Sequence, residues 1–198
     1  MSTSRTGPGG TRIETYAAGS APADAPGRAE HPDRADRPDP ADHLAGELAR
    51  LLVDSVEHGA SVGFLAPLAL DEARDWWLSA LADATAVVVI ARTGDEVVGC
   101  VRVLPAPQAN GRHRADIGKM LVHSGHRRRG IAGALLAAAE DVARDLGRTT
   151  LVLDTETGSD AERLYARAGW ERVGEIPLFA GAADGTLIST TVFTKRLA

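Results

Sequence analysis

The chain has 198 residues, 44% of them hydrophobic, and a formal net charge of −5. That length suits one domain of about 150 residues with some chain left over, large enough to need no disulfide or metal staple. Net acidity argues against general nucleic-acid binding, and no apolar run reaches the roughly 18 residues of a membrane span.

The opening "MSTSRTGPGG" lacks the apolar segment of a secretory signal. The single cysteine, Cys100 in "VVGCVRV", excludes an internal disulfide and reads as a small core residue. A cytoplasmic protein is expected. Up to Pro40 the chain carries six of its ten prolines among Ala, Gly, Asp and Arg. Such a segment buries too little apolar surface to offset its ordering entropy, so residues 1–38 are expected to be disordered. The exception is "TRIETY", residues 11–16, which alternates like a short edge strand.

Order begins at Asp39, a helix cap, with Pro40 at the first helical position and Leu44, Leu48, Leu51, Leu52 and Val56 at helical spacing up to Gly59. A second helix, from about Asp71 to Ala82, carries Trp76 and Trp77. "TAVVVIART" and "EVVGCVRVLP", joined at Gly94 and Asp95, read as a hairpin. "ADIGKMLVH" is another strand, a helix runs from about Gly130 to Leu146, and "TTLVLDT" is apolar on both faces like a buried parallel strand. A short helix follows, with Ser159 and Glu162 spaced as a capping box and Gly169 as its stop. "ERVGEI" and "TLISTTVFTKRL" close the chain as an antiparallel pair. Strands mixed with helices and one strand–helix–strand crossover predict an α/β sheet of mixed direction, in a domain spanning residues 39–198.

The densest positive cluster, "HRRRGIAG" from His126, stands where the helix after "KMLVH" begins. Helix starts present unpaired N–H groups and a positive dipole. Gly130 and Gly133 admit a ligand to the backbone, and Arg127, Arg128 and Arg129 complement phosphate. A solvated basic turn explains the same residues equally well. The phosphate loops G-x-x-x-x-G-K-[ST] and G-x-G-x-x-G are absent, and no aromatic stacking platform for nucleic acid accompanies the arginines.

Arg127, Gly130 and Ala132 form R-x-x-G-x-A between a strand and a helix, and "LYARAGW" supplies Leu164, Tyr165, Gly169 and Trp170. In these segments the chain resembles the GCN5-related N-acetyltransferase (GNAT) superfamily over residues 41–198. "GASVGFLAP", "EARDWW", "LVLDTETGSDAERLY" and "VGEIP" further resemble its tabtoxin-resistance branch. The likeness implies a GNAT fold: a mixed, mostly antiparallel central sheet, flanking helices and a central crossover. It also implies acetyl-CoA as acetyl donor, with no metal. The pyrophosphate would be held by Arg127, Arg128, Arg129, Gly130, Ile131, Ala132 and Gly133. Backbone groups of Leu121 and Val122 would bind the pantetheine amides in a splay between two parallel strands, with the Val122 N–H as oxyanion donor.

Acetyl transfer to an amine requires the amine to lose a proton, the oxyanion to be stabilised and the thiolate to be protonated. The resemblance assigns the last role to Tyr165, whose reference pKa of about 10 suits donation to a thiolate whose acid has a pKa of about 8.5. Read without it, Tyr165 is a core aromatic on the face of Ala161, Leu164 and Ala168. Asp116 is the candidate base, or a group that only holds the substrate ammonium; alternation puts it on the side of Gly118, Met120 and Val122. Asp154 is a second substrate-binding candidate, and Trp77 is a candidate lining for the acceptor pocket. Relatives often carry asparagine seven residues before the tyrosine, where this chain has Gly158. The expected acceptor is the primary amine of a small molecule; the tabtoxin-resistance likeness points to an amino-acid-like antibiotic or toxin, which would make the protein a resistance or self-protection enzyme. A protein N-terminal or lysine acetyltransferase and a non-catalytic CoA-binding module are the alternatives, and a monomer or homodimer is expected.

Overall fold

A computed structural model describes residues 5–18 and 39–197. The strands are β1 (Arg5–Thr6), β2 (Arg12–Ala17), β3 (Val87–Thr93), β4 (Glu96–Pro105), β5 (Arg114–Val122), β6 (Thr150–Glu156), β7 (Glu171–Gly181) and β8 (Leu187–Arg196). The helices are α1 (Pro40–Glu57), α2 (Leu70–Leu81), α3 (Ile131–Asp145) and α4 (Asp160–Arg167). All eight strands form one sheet in the order β1-β2-β3-β4-β5-β6-β8-β7. Every neighbouring pair is antiparallel except β5 and β6, which α3 connects. The α/β architecture and the central crossover are therefore as the sequence predicts.

Local chemistry explains the element ends. The Asp39 carboxylate accepts the Ala41 N–H at 2.9 Å, with Pro40 opening α1. In α4, Ser159 Oγ accepts the Glu162 N–H at 3.1 Å, while the Glu162 carboxylate reaches back to the Gly158 N–H. After Gly169, Trp170 is buried and its indole N–H donates to Glu140 of α3 at 3.2 Å. The Lys195 ammonium of β8 donates to the same Glu140 oxygen and to the Ala168 carbonyl. These bonds fix the end of α4 against α3 and the sheet.

The sheet separates two apolar clusters, as its period-2 side chains require. On one face Val89, Val101, Val103, Ala115 and Ile117 meet Leu135, Leu136 and Ala139 of α3, with Tyr165 of α4. On the other, Val88, Ile90, Cys100 and Leu121 meet Leu48, Leu51 and Leu52 of α1 and Trp77 of α2. Each fully buried large side chain contributes about 1.5–3 kcal/mol. Cys100 is a core residue, and burial pushes its thiol well above the usual range.

The amino-terminal expectation needs correction. Within residues 5–18 the strands β1 and β2 belong to the sheet; the strand expected at residues 11–16 is β2, but it is not the edge, because β1 pairs beyond it. Ile13 supplies the burial that composition alone did not suggest. Residues 1–4 and 19–38, the rest of the segment expected to be disordered, lie outside the described residues.

Candidate active site

β5 and β6 pair only at Arg114↔Thr150, Ala115↔Leu151 and Asp116↔Val152. From Ile117 onward β5 has no β6 partner, so the two parallel strands diverge. His123 donates its backbone N–H to Val98 of β4. Since adjacent residues of a strand face opposite edges, the Val122 backbone turns to the opened edge.

A groove of about 540 Å³ follows this opening. Met120, Leu121 and Val122 form one wall, and Ile131, Ala132 and Gly133 at the start of α3 form its floor. Arg127, Arg128 and Gly130 line the same end, while Ala161, Leu164 and Arg167 of α4 close the opposite side.

The floor is suited to an anion. The first-turn N–H groups of α3 lack intrahelical partners, no side chain caps that turn, and it holds no acidic residue. Gly130 adopts φ +81°, a left-handed conformation that a side chain would strain. Arg127 bonds the Val122 carbonyl through Nε at 3.3 Å. Neither Arg127 nor Arg128 has a carboxylate within 4 Å among the described residues. A pyrophosphate fits these groups.

The preceding loop is tied down. The Asp54 carboxylate of α1 accepts both the N–H and the hydroxyl of Ser124, each at 2.7 Å. Burial raises its proton affinity, but these bonds and the nearby His123 and His58 outweigh that, leaving the carboxyl below its usual range. Gly99 allows the helix start to approach β4: a Cβ there would stand 3.0 Å from the Leu121 carbonyl oxygen and from Leu135.

The structure places the expected site residues differently. Leu121, Val122, Arg127, Arg128, Gly130, Ile131, Ala132 and Gly133 all line the groove. Arg129 is exposed and is not among its lining residues. Tyr165 is only 4% exposed, within the α3/α4-side core beside Trp170 and Phe193. Its hydroxyl makes no hydrogen bond among the described residues. Burial, reinforced by the Asp154 charge, pushes its phenol above the ordinary value.

Asp116, Asp154 and Trp77 differ from the groove residues. Lys119 has φ +51°, and β5 holds Lys119 and Met120 opposite Val101 alone, a bulge. Side-chain alternation breaks there. Met120 and Val122 pack on the α3/α4 side with Ala115 and Ile117, so Asp116 and Gly118 face the α1/α2 side. The expectation that all four share one face is corrected on this ground. Asp116 is exposed, 4.0 Å from Arg114. Asp154 is also exposed and accepts the Thr190 hydroxyl at 2.9 Å. Trp77 is 0% exposed and belongs to the core, so it cannot line an acceptor pocket. Trp76 is the partly exposed neighbour, edge-on to Phe64 with ring centroids 5.6 Å apart.

Sequence reasoning missed Arg163 and Arg167, whose signal is the stripe Asp160, Arg163, Leu164 and Arg167 on one side of α4. It also missed Arg102 and Lys119.

The family model of the acetyltransferase (GNAT) family matches residues 43–170, and the chain belongs to that family of enzymes. Among curated relatives, N-acetyltransferase 8F1 of Rattus norvegicus is 38% identical over 88 residues, covering 43% of this chain and 40% of that one. Mycothiol acetyltransferase of Kineococcus radiotolerans is 43% identical over 70 residues, 35% of this chain and 22% of that one. The matched stretches thus span two fifths or less of those relatives. Among solved structures, the ribosomal-protein-alanine N-acetyltransferase of Brucella melitensis superposes with a TM-score of 0.67 at 24% identity, over 79% of this chain and 96% of that one. The yncA protein of Salmonella typhimurium, solved with its cofactor acetyl-CoA, gives 0.67 at 19% identity, over 79% and 90%. These likenesses show the fold.

Proposed function

We propose that this chain transfers an acetyl group from acetyl-CoA to the amine of a small molecule. The observation that carries the reading is the divergence of β5 and β6 beside an uncapped, arginine-flanked helix start. Bound there, acetyl-CoA supplies an activated acetyl thioester. Arg127, Arg128 and the first-turn N–H groups of α3 would hold its pyrophosphate, and Leu121 and Val122 would hold the pantetheine arm. The Val122 N–H faces the opened edge, where it would donate to negative charge developing on the acetyl oxygen. Tyr165, a phenol that is protonated at neutral pH even at its ordinary pKa, would deliver its proton to the departing sulfur. Asp116 and Asp154 are exposed on the α1/α2 side, where they would bind and orient the acceptor ammonium, and Asp116 would take its proton so that the amine lone pair is free to attack.

The tabtoxin-resistance likeness extends the proposal to an amino-acid-like antibiotic or toxin as acceptor, in a cytoplasmic resistance or self-protection role. Among the described residues no helix is long and apolar enough to cross a membrane. The test is free-thiol release from acetyl-CoA against a panel of small amines. Acceptor-dependent release supports the reading; CoA binding with no release from any amine contradicts it.

A further inference from the structure

Two cations meet on the α1/α2 side, opposite the cofactor groove. The Lys119 ammonium lies 4.8 Å from the Trp76 ring centroid and 5.5 Å from that of Phe64, and donates to the Val62 carbonyl at 2.8 Å. The Arg102 guanidinium lies 5.5 Å from the same indole. Arg102 is 8% exposed, and its Nε is buried without a hydrogen-bond partner among the described residues.

Compensation is incomplete. No carboxylate lies within 4 Å of the Lys119 ammonium among the described residues. Asp83 is 3.8 Å from Arg102 without bonding it, and its other oxygen is occupied by the Thr85 N–H and hydroxyl. Desolvated cations that repel one another are costly unless an anion joins them. Burial and then the Arg102 charge hold the Lys119 ammonium below its usual range, the direction expected of an incompletely compensated pair.

We propose that Arg102 and Lys119 form a carboxylate subsite, so that the acetylated amine belongs to a molecule that also carries a carboxylate. The guanidinium fork matches a carboxylate in shape. Arg102 stands opposite Gly118 in the β4–β5 register, and a Cβ at Gly118 would touch only Leu104, so no side chain there fills the space beside the cations. Asp116 lies two residues along β5, about 7 Å away, and Asp154 acts electrostatically on Lys119. A bound acceptor thus places its carboxylate on the cations and its ammonium toward the two aspartates. This specificity rests on the acetyltransferase reading, but the subsite itself is testable without turnover.

The binding test titrates N-acetylglycine and N-acetylglycinamide while following the indole N–H signals by NMR. Wild type is expected to bind the carboxylate at least tenfold more tightly than the amide, and Arg102→Gln and Lys119→Gln each to bring that ratio close to one. Circular dichroism checks their folds. If Arg102→Gln does not fold, Lys119→Gln, altered at a partly exposed side chain, decides the matter. Equal binding of the two probes, or a ratio unchanged in a folded variant, overturns the subsite. In parallel, amino acids are compared with their carboxamides as acetyl acceptors. Carboxylate binding without turnover of any amine would overturn the transferase reading and leave the subsite standing. Turnover with no preference for carboxylates would do the reverse.

Discussion

The two sides of β5 are built on different principles. The groove side takes its positive potential mainly from backbone: an uncapped helix start, a left-handed Gly130 and arginines that remain exposed. The α1/α2 side takes its charge from side chains pressed against an indole and partly removed from water. Exposed charges on a backbone cradle suit a ligand whose phosphates remain partly hydrated. Half-buried charges with a single incomplete counterion, Asp83 at 3.8 Å from Arg102, suit a smaller anion that enters and is desolvated with them. One bulge at Lys119 lets a single strand serve both sides.

The largest effect expected on this division is chemical. Tyr165→Phe should lower kcat by about 10²–10³, within the range of lost general acid catalysis, while the KM for acetyl-CoA changes less than about threefold. Steady-state thiol-release kinetics check this. An unchanged kcat would make Tyr165 only the core aromatic that its burial also allows.

A second prediction concerns the contact between groove and sheet. Gly99→Val inserts carbon atoms where even a Cβ stands 3.0 Å from backbone and from Leu135. Overpacking of this kind costs about 1–3 kcal/mol. Thermal unfolding should show that loss together with weaker CoA binding, since the start of α3 must shift.

The smallest effect is at Asp54. Asp54→Asn removes a charged acceptor from two Ser124 donors and should cost about 1–2 kcal/mol at neutral pH. Because the folded carboxyl sits below its unfolded value, its contribution is fully present above about pH 4 and disappears as pH falls through the lowered folded value. Stability curves of wild type and variant should therefore converge on acidification. Parallel curves would mean that the carboxylate does not hold the loop.

The same contrast explains what could be read from sequence. The groove was legible because its signals are local: R-x-x-G-x-A joins a strand to a helix within a few residues, and "LYARAGW" marks a helix end whose Trp170 is then pinned to Glu140. The acceptor side was not. A lysine with positive φ carries no residue-type signature, yet it reverses the alternation on which the placement of Asp116 depended. Adjacent tryptophans likewise hide which one the core takes; only the fit of α2 against α1 assigns Trp77 inward. Arg102 sits in an apolar strand sequence, and its neighbours Trp76 and Ala80 come from a helix over twenty residues earlier. The burial of Ile13 was not legible because its cluster partners, such as Val89 and Ala91, lie far along the chain, past the proline-rich stretch.

The most direct test of the central claim is calorimetric titration of acetyl-CoA into wild type and into an Arg127→Ala/Arg128→Ala double variant. The account predicts one site per chain in wild type, weakened at least tenfold in the folded variant by loss of charge-assisted phosphate bonds. Binding of equal strength in both proteins, or none in wild type, would contradict it.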